Sequence, residues 1–410
     1  MKSWPRSDVP PLQVSVPELC LFDTKSQTTR KLTKKEHYRL YVCGITPYDA
    51  THLGHAATYL AFDLVHRFLL AQGSTVGYVQ NTTDIDDPLL ERAKRDGVDW
   101  QALATSQIEL FRSDMVDLHI LPPTQFRGVI ESMNEIIQAI SDIEHASATY
   151  LVEGDLYCEI HRDPQFGYRS HLSAERALAV FAERGGDPDR VGKRDPFDPL
   201  LWRAHRPGEP AWPSPFGDGR PGWHIECQAI ALKYLGKNDH GALIDIQGGG
   251  SDLIFPHHEM SAAQTSIQTG REFSDFYVHA GMIGLDGEKM SKSRGNLVFV
   301  SVLTKSGVNP MAIKIALLSQ HYQSDRQWSS NLLEEAEKFL ERLVMALSKE
   351  DVAPTEAVIT GIVHDLSQNL DTPAVIQRLT RWMEETESGA SGGSAGSLAR
   401  ALDSLMGLAL

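Results

Sequence analysis

The chain has 410 residues, of which 39 are basic and 54 acidic, and its formal net charge is −15 at pH 7. Its hydrophobic content of 41% and charged content of 23% are those of a globular protein. No apolar run reaches the ~20 residues of a membrane-spanning helix, and the N-terminus lacks the apolar stretch of a signal peptide. We therefore expect a cytoplasmic protein without a membrane partner, and the acidic balance argues against one that mainly binds a polyanion.

The first third of the sequence predicts the start of an α/β sheet. Residues 1–35 are rich in Pro, Ser and Thr and are predicted to form an arm over the first domain. The run RLYVCGI (residues 39–45) predicts a buried strand, and apolar residues at helical spacing predict a helix from His52 to Gly73. The next strand, VGYVQ, leads into polar residues 81–84, which lie where open α/β sheets bind ligands.

The rest of the chain reads as an insertion, a second half of the sheet and a helical tail. The insertion spans residues 124–206, and short apolar runs return in ALIDIQGGG and FYVHAGMIG. Helices are predicted beyond Asn309. Residues 331–410 carry thirteen acidic and six basic residues, a net charge of −7 that is unsuited to binding an RNA backbone. The predicted units are 1–35, 36–123, 124–206, 207–300 and 301–410.

Two motifs are suited to a nucleotide. HLGH (residues 52–55) opens the first predicted helix, where two imidazoles, a glycine and the helix dipole can hold phosphates, although such a pattern alone more often marks surface or capping histidines. KMSKS (residues 289–293) offers two lysines that can neutralise the charge on a leaving pyrophosphate, with a solvated basic turn as the alternative. In this order, the two motifs resemble the signature pair of class I aminoacyl-tRNA synthetases, whose catalytic domain is Rossmann-like.

Several segments resemble those of cysteinyl-tRNA synthetases: CGITPYDATHLGH, NTTDIDD, PGWHIEC, GGGSDLIFPHHE, GMIG, KMSKSRGN and HYQSDRQWS. The resemblance implies that Cys43, Cys227 and His257 hold one zinc ion, with the thiol of substrate cysteine as the fourth ligand. Their large separation along the chain would not by itself support a site, because free core cysteines are the commoner case. His257 is chosen over His258 because it matches the synthetase ligand position, and His258 is expected to orient it or to cap the loop. Cys20 and Cys158 are expected to be ordinary thiols.

The sequence also departs from those synthetases. They usually place a glutamate four residues after the first histidine of FPHHE, where this chain has Ser261, and their tRNA-binding portion continues well beyond the length found here. The segment TPYDATHLGHAATY instead resembles the cysteine ligases of mycothiol biosynthesis, a paralogous family. This resemblance covers almost the whole chain. It implies a class I catalytic domain with a connective insertion and a C-terminal helical bundle. It also implies formation of cysteinyl-adenylate from ATP and L-cysteine, followed by transfer to the amine of glucosaminyl-inositol.

The resemblance extends to individual residues. His52, His55, Lys289 and Lys292 are expected to act in catalysis, and Thr46, Thr83 and Trp223 to surround the substrate cysteine, although Trp223 could equally pack in the core. Asp252 is the candidate group for positioning or deprotonating the sugar amine, ahead of Asp84, Asp86 and Asp87, which could merely cap a helix. ATP, with Mg²⁺, is expected to contact a group of loop and motif residues: Gly44, Gly54, His55, Met282, Ile283, Lys289, Ser291 and Lys292.

The alternatives are a compact cysteinyl-tRNA synthetase and a non-catalytic cysteine sensor. The short acidic tail favours a sugar acceptor over tRNA. Intact HLGH and KMSKS motifs argue against a sensor, which has no need of pyrophosphate-releasing lysines. We expect a monomer.

Overall fold

The computed structural model describes residues 1–49, 51–285 and 296–410, together with the backbone of Glu288–Lys289. Its largest sheet has five parallel strands in the order β11-β10-β3-β4-β5. These strands are His37–Ile45 (β3), Thr75–Thr82 (β4), Gln125–Gly128 (β5), Ile244–Gly250 (β10) and Ser274–Ala280 (β11). The predicted α/β fold is confirmed, and the predicted strand at residues 39–45 lies within β3.

β3 is the central strand, and its side chains alternate between two cores. Leu40 and Val42 pack in the core that contains helix α1 (Leu53–Ala71), whereas Tyr41 and Cys43 pack in the core that contains α6 (Trp223–Leu235). This alternation is the ordinary consequence of a strand buried on both faces. β3 pairs with β4, the next strand in sequence, on one side and with β10 on the other. The strand order therefore reverses at β3, and open α/β sheets bind ligands at the carboxyl end of such a switch point.

Smaller sheets surround the parallel one. Cys20–Asp23 (β1) pairs with Thr28–Lys31 (β2). An antiparallel sheet contains Thr149–Val152 (β6), Asp155–Cys158 (β7), Leu200–Ala204 (β8) and Gly219–Pro221 (β9), of which β9 lies beyond the predicted insertion of residues 124–206. A third small sheet contains Ile283–Leu285 (β12), Glu288–Lys289 (β13) and Arg326–Trp328 (β14).

Helices cover both faces of the parallel sheet and form the C-terminal part. Those of the first half and the insertion are Asp87–Asp96 (α2), Trp100–Asp117 (α3), Met133–His145 (α4) and Ala174–Glu183 (α5). The others are Glu259–Thr269 (α7), Val300–Lys305 (α8), Pro310–Leu318 (α9), Ser330–Leu347 (α10), Glu356–Ser367 (α11), Thr372–Glu387 (α12) and Ala395–Met406 (α13). Within the described ranges, none of these helices combines the length and the apolar character needed to cross a membrane.

The two ends of the chain pack on the first half of the sheet. Trp4, from the N-terminal arm, is buried; its indole N–H donates to the carbonyl of Ile120 at 2.8 Å, and its ring packs against Phe111 and Phe126. At the other end, α13 packs on α1 and α11. The first helix of the sheet thereby packs against a helix from the far end of the chain.

Candidate active site

Three predicted ligands converge beside the carboxyl end of β3. Cys43 ends the buried run of β3, Cys227 lies on α6, and His257 lies in the turn between β10 and α7. One ligand atom from each lies within 4.8 Å of the other two, and all three residues are buried. His257 Nε2 is 3.1 Å from Cys227 Sγ. Two thiols and an imidazole are a donor set that suits zinc, so the cluster is compatible with that ion.

Neighbouring histidines fix the orientation of two of these groups. His257 Nδ1 is 3.1 Å from Nδ1 of His224. Burial lowers the pKa of His224, so its ring is neutral and its Nδ1 can accept a hydrogen bond from the Nδ1–H of His257. His258 Nε2 is 3.2 Å from Cys43 Sγ, and its Nδ1 is 2.8 Å from Nε2 of His279. His258 therefore contacts a ligand of the cluster from outside it, which is the arrangement of outer-shell partners in metal sites.

The protein groups alone favour one thiolate in the cluster. Burial raises the pKa of the Cys43 thiol well above its usual value, and its interaction with Cys227 adds to the effect. Burial acts in the same direction on Cys227, but interactions with Cys43 and His257 outweigh it and hold the pKa of Cys227 well below its usual value. The thiolate is the form of cysteine that binds metals.

The residues following His257 do not contribute a carboxylate to the cluster. Ser261 turns its hydroxyl away and donates to the carbonyl of His224 at 2.9 Å. Glu259 accepts from the backbone N–H groups of Gly167 and Ser170, at 3.0 and 2.7 Å, and forms an ion pair with Arg169. Among the described residues, the group that could hold an ion thus has three members and leaves one position of a tetrahedral site open.

A cavity of about 320 Å³ adjoins the cluster. Its wall contains most of the predicted site residues: Cys43, Gly44, Thr46, His52, Gly54, His55, Trp223, Asp252 and Met282. The Trp223 ring stacks on His257 with the ring centroids 4.4 Å apart. The predicted Lys289, Ser291 and Lys292 side chains lie outside the described residues. Ile283 begins β12 and is buried just beyond Met282.

The HLGH motif forms the N-terminus of α1. His52 is the N-cap, its Nδ1 accepts from the backbone N–H of His55, and the two rings stack at 3.8 Å. Burial lowers the pKa of His52 to about 4 and that of His55 well below its usual value, so both rings are neutral at pH 7. A Cβ at Gly54 would lie 2.9 Å from the His52 ring, which explains the glycine between them.

Asn81 is a site residue for which the sequence analysis gave no role. Its Oδ1 accepts from the backbone N–H of Gly44 at 2.8 Å and from the Tyr41 hydroxyl at 2.9 Å, and its Nδ2 donates to Thr83 Oγ1 at 3.3 Å. A Cβ at Gly44 would meet the Asn81 carbonyl at 1.5 Å. Asn81 therefore ties the end of the Cys43 strand to Thr83, and only its place in the polar run of residues 81–84, at the carboxyl end of β4, could have indicated this.

The aspartates after β4 serve mainly as local structure. Burial raises the pKa of Asp84 to about 6, although its carboxylate accepts from the backbone N–H of Ile130. Asp86 is the N-cap of α2, and Asp87 forms ion pairs with Arg203 and Arg220. Asp86 thus caps a helix, whereas Asp87 pairs with two arginines.

The fold and the site define a class I tRNA synthetase catalytic domain. The family model for "tRNA synthetases class I (C) catalytic domain" matches residues 29–338. A methionyl-tRNA synthetase of Mycobacterium tuberculosis, solved in complex with methionyl-adenylate, has the same fold, with a TM-score of 0.58 at 18% identity over 92% of this chain and 89% of that one. A leucyl-tRNA synthetase of Agrobacterium radiobacter K84 gives a TM-score of 0.60 at 12% identity, over 90% of this chain and 83% of that one.

Full-length relatives narrow the class further. The chain is 51% identical to the L-cysteine:1D-myo-inositol 2-amino-2-deoxy-alpha-D-glucopyranoside ligase of Gordonia bronchialis, over 100% of both chains. It is also 51% identical to the protein of the same name from Thermomonospora curvata, again over 100% of both chains. The chain belongs to this family of ligases, which confirms the predicted resemblance.

Proposed function

We propose that the protein is an ATP-dependent ligase that joins L-cysteine to the amino group of glucosaminyl-inositol. In the first step, a carboxylate oxygen of cysteine attacks the α-phosphorus of ATP, and the bond from that phosphorus to the bridging oxygen breaks to release pyrophosphate. In the second step, the sugar nitrogen attacks the carbonyl carbon of cysteinyl-adenylate. The carbon–oxygen bond to phosphate breaks, AMP leaves, the amine gives up one proton, and an amide remains.

The observation that carries the proposal is that Cys43, one member of the cysteine and histidine cluster, lies in the wall of the same cavity as His52 and His55 of the HLGH motif. Cys43, Cys227 and His257 would hold one zinc ion. A bound zinc ion supplies a soft ligand position that takes a thiolate in preference to the hydroxyl of serine. Thr46, Thr83 and Trp223 would surround the amine and carboxylate of cysteine, with Asn81 holding Thr83 in place.

The nucleotide would lie over the N-terminus of α1. Gly44, Gly54 and His55 approach it from the first half of the sheet, and Met282 and Ile283 from the second. Neutral imidazoles at a helix N-terminus donate to phosphate oxygens without adding a fixed positive charge. Lys289, Ser291 and Lys292 would clamp the phosphates, and Mg²⁺ would accompany ATP.

Asp252 would position the acceptor amine or take up its proton. Its carboxylate lies in the cavity wall, against Gly250, and can reach a group that approaches from the open side. Holding the amine against the carbonyl would itself remove much of the barrier to the second step.

The proposal includes a sugar rather than a tRNA as acceptor, a monomeric enzyme and action in the cytoplasm. The full-length identity to ligases supports the sugar. So does the net charge of −7 over residues 331–410, because an RNA-binding tail needs positive charge.

The test offers the purified protein ATP and cysteine with either glucosaminyl-inositol or tRNA. We expect AMP release with the sugar alone, cysteine-dependent pyrophosphate exchange without any acceptor, and little exchange when serine replaces cysteine. AMP release with tRNA alone would identify a synthetase, whereas folded, metal-loaded protein without exchange would identify a sensor.

A further inference from the structure

The turn between β10 and α7 carries two residues with different proposed roles, one at the acceptor step and one in the metal cluster. Asp252 lies near its start and His257 near its end, and residues 254–258 form an irregular helical turn between them. A 3-10 turn at Ser251–Leu253 precedes this helical turn, and the extended backbone of Phe255 interrupts the helical geometry between the two ends. Side chains from elsewhere in the fold contact each end. Those contacts come from the insertion.

Arg184 holds the Asp252 end. It follows α5 directly, and its Nη1 donates to the backbone carbonyls of Asp252 and Phe255. The Asp252 carboxylate in turn lies so close to Gly250 that a Cβ there would be 2.4 Å from Oδ1. The position of the carboxylate is therefore set by the backbone that Arg184 binds.

Separate contacts hold the His257 end. Phe255 packs in an apolar cluster with Phe181 of α5 and with Phe166 and Phe197 of the insertion. Glu259, two residues beyond His257, is fixed by the two backbone N–H groups of residues 167–170 and by Arg169. Arg184 also contacts this end through the Phe255 carbonyl, whereas the aromatic packing and the contacts of Glu259 are made by other side chains.

We propose that Arg184 is a positioning residue for the acceptor step: it holds the backbone that aims Asp252 at the sugar amine. This inference rests on the proposed function, in which Asp252 faces that amine. Without the guanidinium, two carbonyls lose their donor and the Asp252 end can shift, while the aromatic cluster and Glu259 keep His257 in place. A displacement of about 1 Å at a reacting group can cost about 100-fold in rate.

The experiment separates the two half-reactions in the full-length, metal-loaded protein. Cysteine-dependent pyrophosphate exchange reports adenylate formation, and single-turnover transfer from preformed cysteinyl-adenylate to glucosaminyl-inositol reports the acceptor step. The variants are Arg184→Ala, Arg184→Lys and Asp252→Asn. Arg176→Ala is the matched control, because Arg176 is an exposed arginine of α5, the helix that Arg184 follows.

For Arg184→Ala we expect transfer to fall about 10- to 100-fold, with exchange and zinc content within about twofold of wild type. Arg184→Lys should recover part of the transfer rate, since an ammonium can donate to one of the two carbonyls. Arg176→Ala should match wild type in both assays.

Equal losses of exchange and transfer in the Arg184 variants would show a structural role and overturn the proposal. So would an unchanged transfer rate in Arg184→Ala when Asp252→Asn slows transfer, because Asp252 would then be aimed without Arg184. Wild-type protein that exchanges pyrophosphate but never transfers cysteine to the sugar would instead overturn the proposed function, independently of Arg184.

Discussion

Two clusters of fully buried polar side chains lie on opposite faces of the parallel sheet. One contains Asp63 and Arg67 of α1 and Lys314 of α9, and the other is the cluster of Cys43, Cys227 and His257. In the first, Arg67 Nε donates to Asp63 at 2.8 Å, and its Nη atoms donate to the carbonyls of Asp403 and His119. In the same cluster, Lys314 donates to the carbonyls of Leu118 and Gly407, and Asp63 also accepts from the backbone N–H of Leu121.

The difference between the clusters lies in where their polar atoms point. In the Asp63 cluster the hydrogen bonds of Arg67 and Lys314 end on carbonyls or carboxylates of the protein. In the cysteine and histidine cluster, three ligand atoms face one another and the adjoining cavity opens beside them. A buried cluster whose polar groups bond to one another stabilises the fold. A cluster whose metal-ligand atoms face one another is suited to binding an ion.

The largest effect should follow from removing a ligand of the cysteine and histidine cluster. We expect Cys227→Ser to lose its bound zinc and to reduce cysteine-dependent pyrophosphate exchange by more than ~100-fold, beyond the loss typical of an outer-shell partner. Elemental analysis and the exchange assay measure both. Cys158→Ser is the control, because Cys158 is equally buried in the insertion. Full zinc content in Cys227→Ser would refute the ligand assignment.

A substitution in the Asp63 cluster should lower the stability of the protein and leave its metal content unchanged. Arg67→Met removes the arginine partner of the Asp63 carboxylate and the donor to two carbonyls, and breaking a buried ion pair in this way costs about 3–5 kcal/mol. Urea unfolding of the metal-loaded protein measures the loss. Arg342→Met removes an arginine that pairs with Glu387 on the surface and should change stability little. Equal effects of the two substitutions would remove the distinction between the Asp63 cluster and a surface pair.

The smallest effect should come from the residue at the usual position of a fourth protein ligand. Ser261→Ala removes one hydrogen bond to the carbonyl of His224, so we expect a loss of about 1 kcal/mol in the free energy of unfolding. Zinc affinity, measured by competition with a chelator, should stay within about twofold of wild type. A large loss of affinity would mean that Ser261 contributes to the metal site and that the fourth position is not free.

Local patterns and motifs in the sequence were sufficient to predict individual elements and the class of the fold. The strand at residues 39–45, the helix after it and the class of the fold are confirmed, because apolar periodicity and the order of motifs carry that information. The convergence of Cys43 with two residues about 200 positions away could be expected only from the family resemblance. The structure brings them together through the alternation of β3 and the packing of α6 on the same face.

Contacts between distant segments could not be predicted in this way. Arg67 falls within a helix that reads as an apolar stripe, and its burial depends on carbonyls of α13 and of the loop after α3. Asn81 is a polar residue near the end of β4, and Arg184 is a basic residue after a helix; each is of a type typical of an exposed position. Their roles arise from which backbone groups the tertiary fold places beside them.

The pairing of β3 with β10 determines when the site can exist during synthesis. Leu40 aligns with Ile246, so the centre of the sheet joins segments separated by about half of the chain. A nascent chain emerging from the ribosome presents Cys43 early, yet the central strand keeps one unpaired edge until residues 244–250 have left the exit tunnel. Contacts of such long range form slowly. Cys43, Cys227 and His257 can therefore come together only late in synthesis, and the insertion has time to fold before its two flanking halves meet.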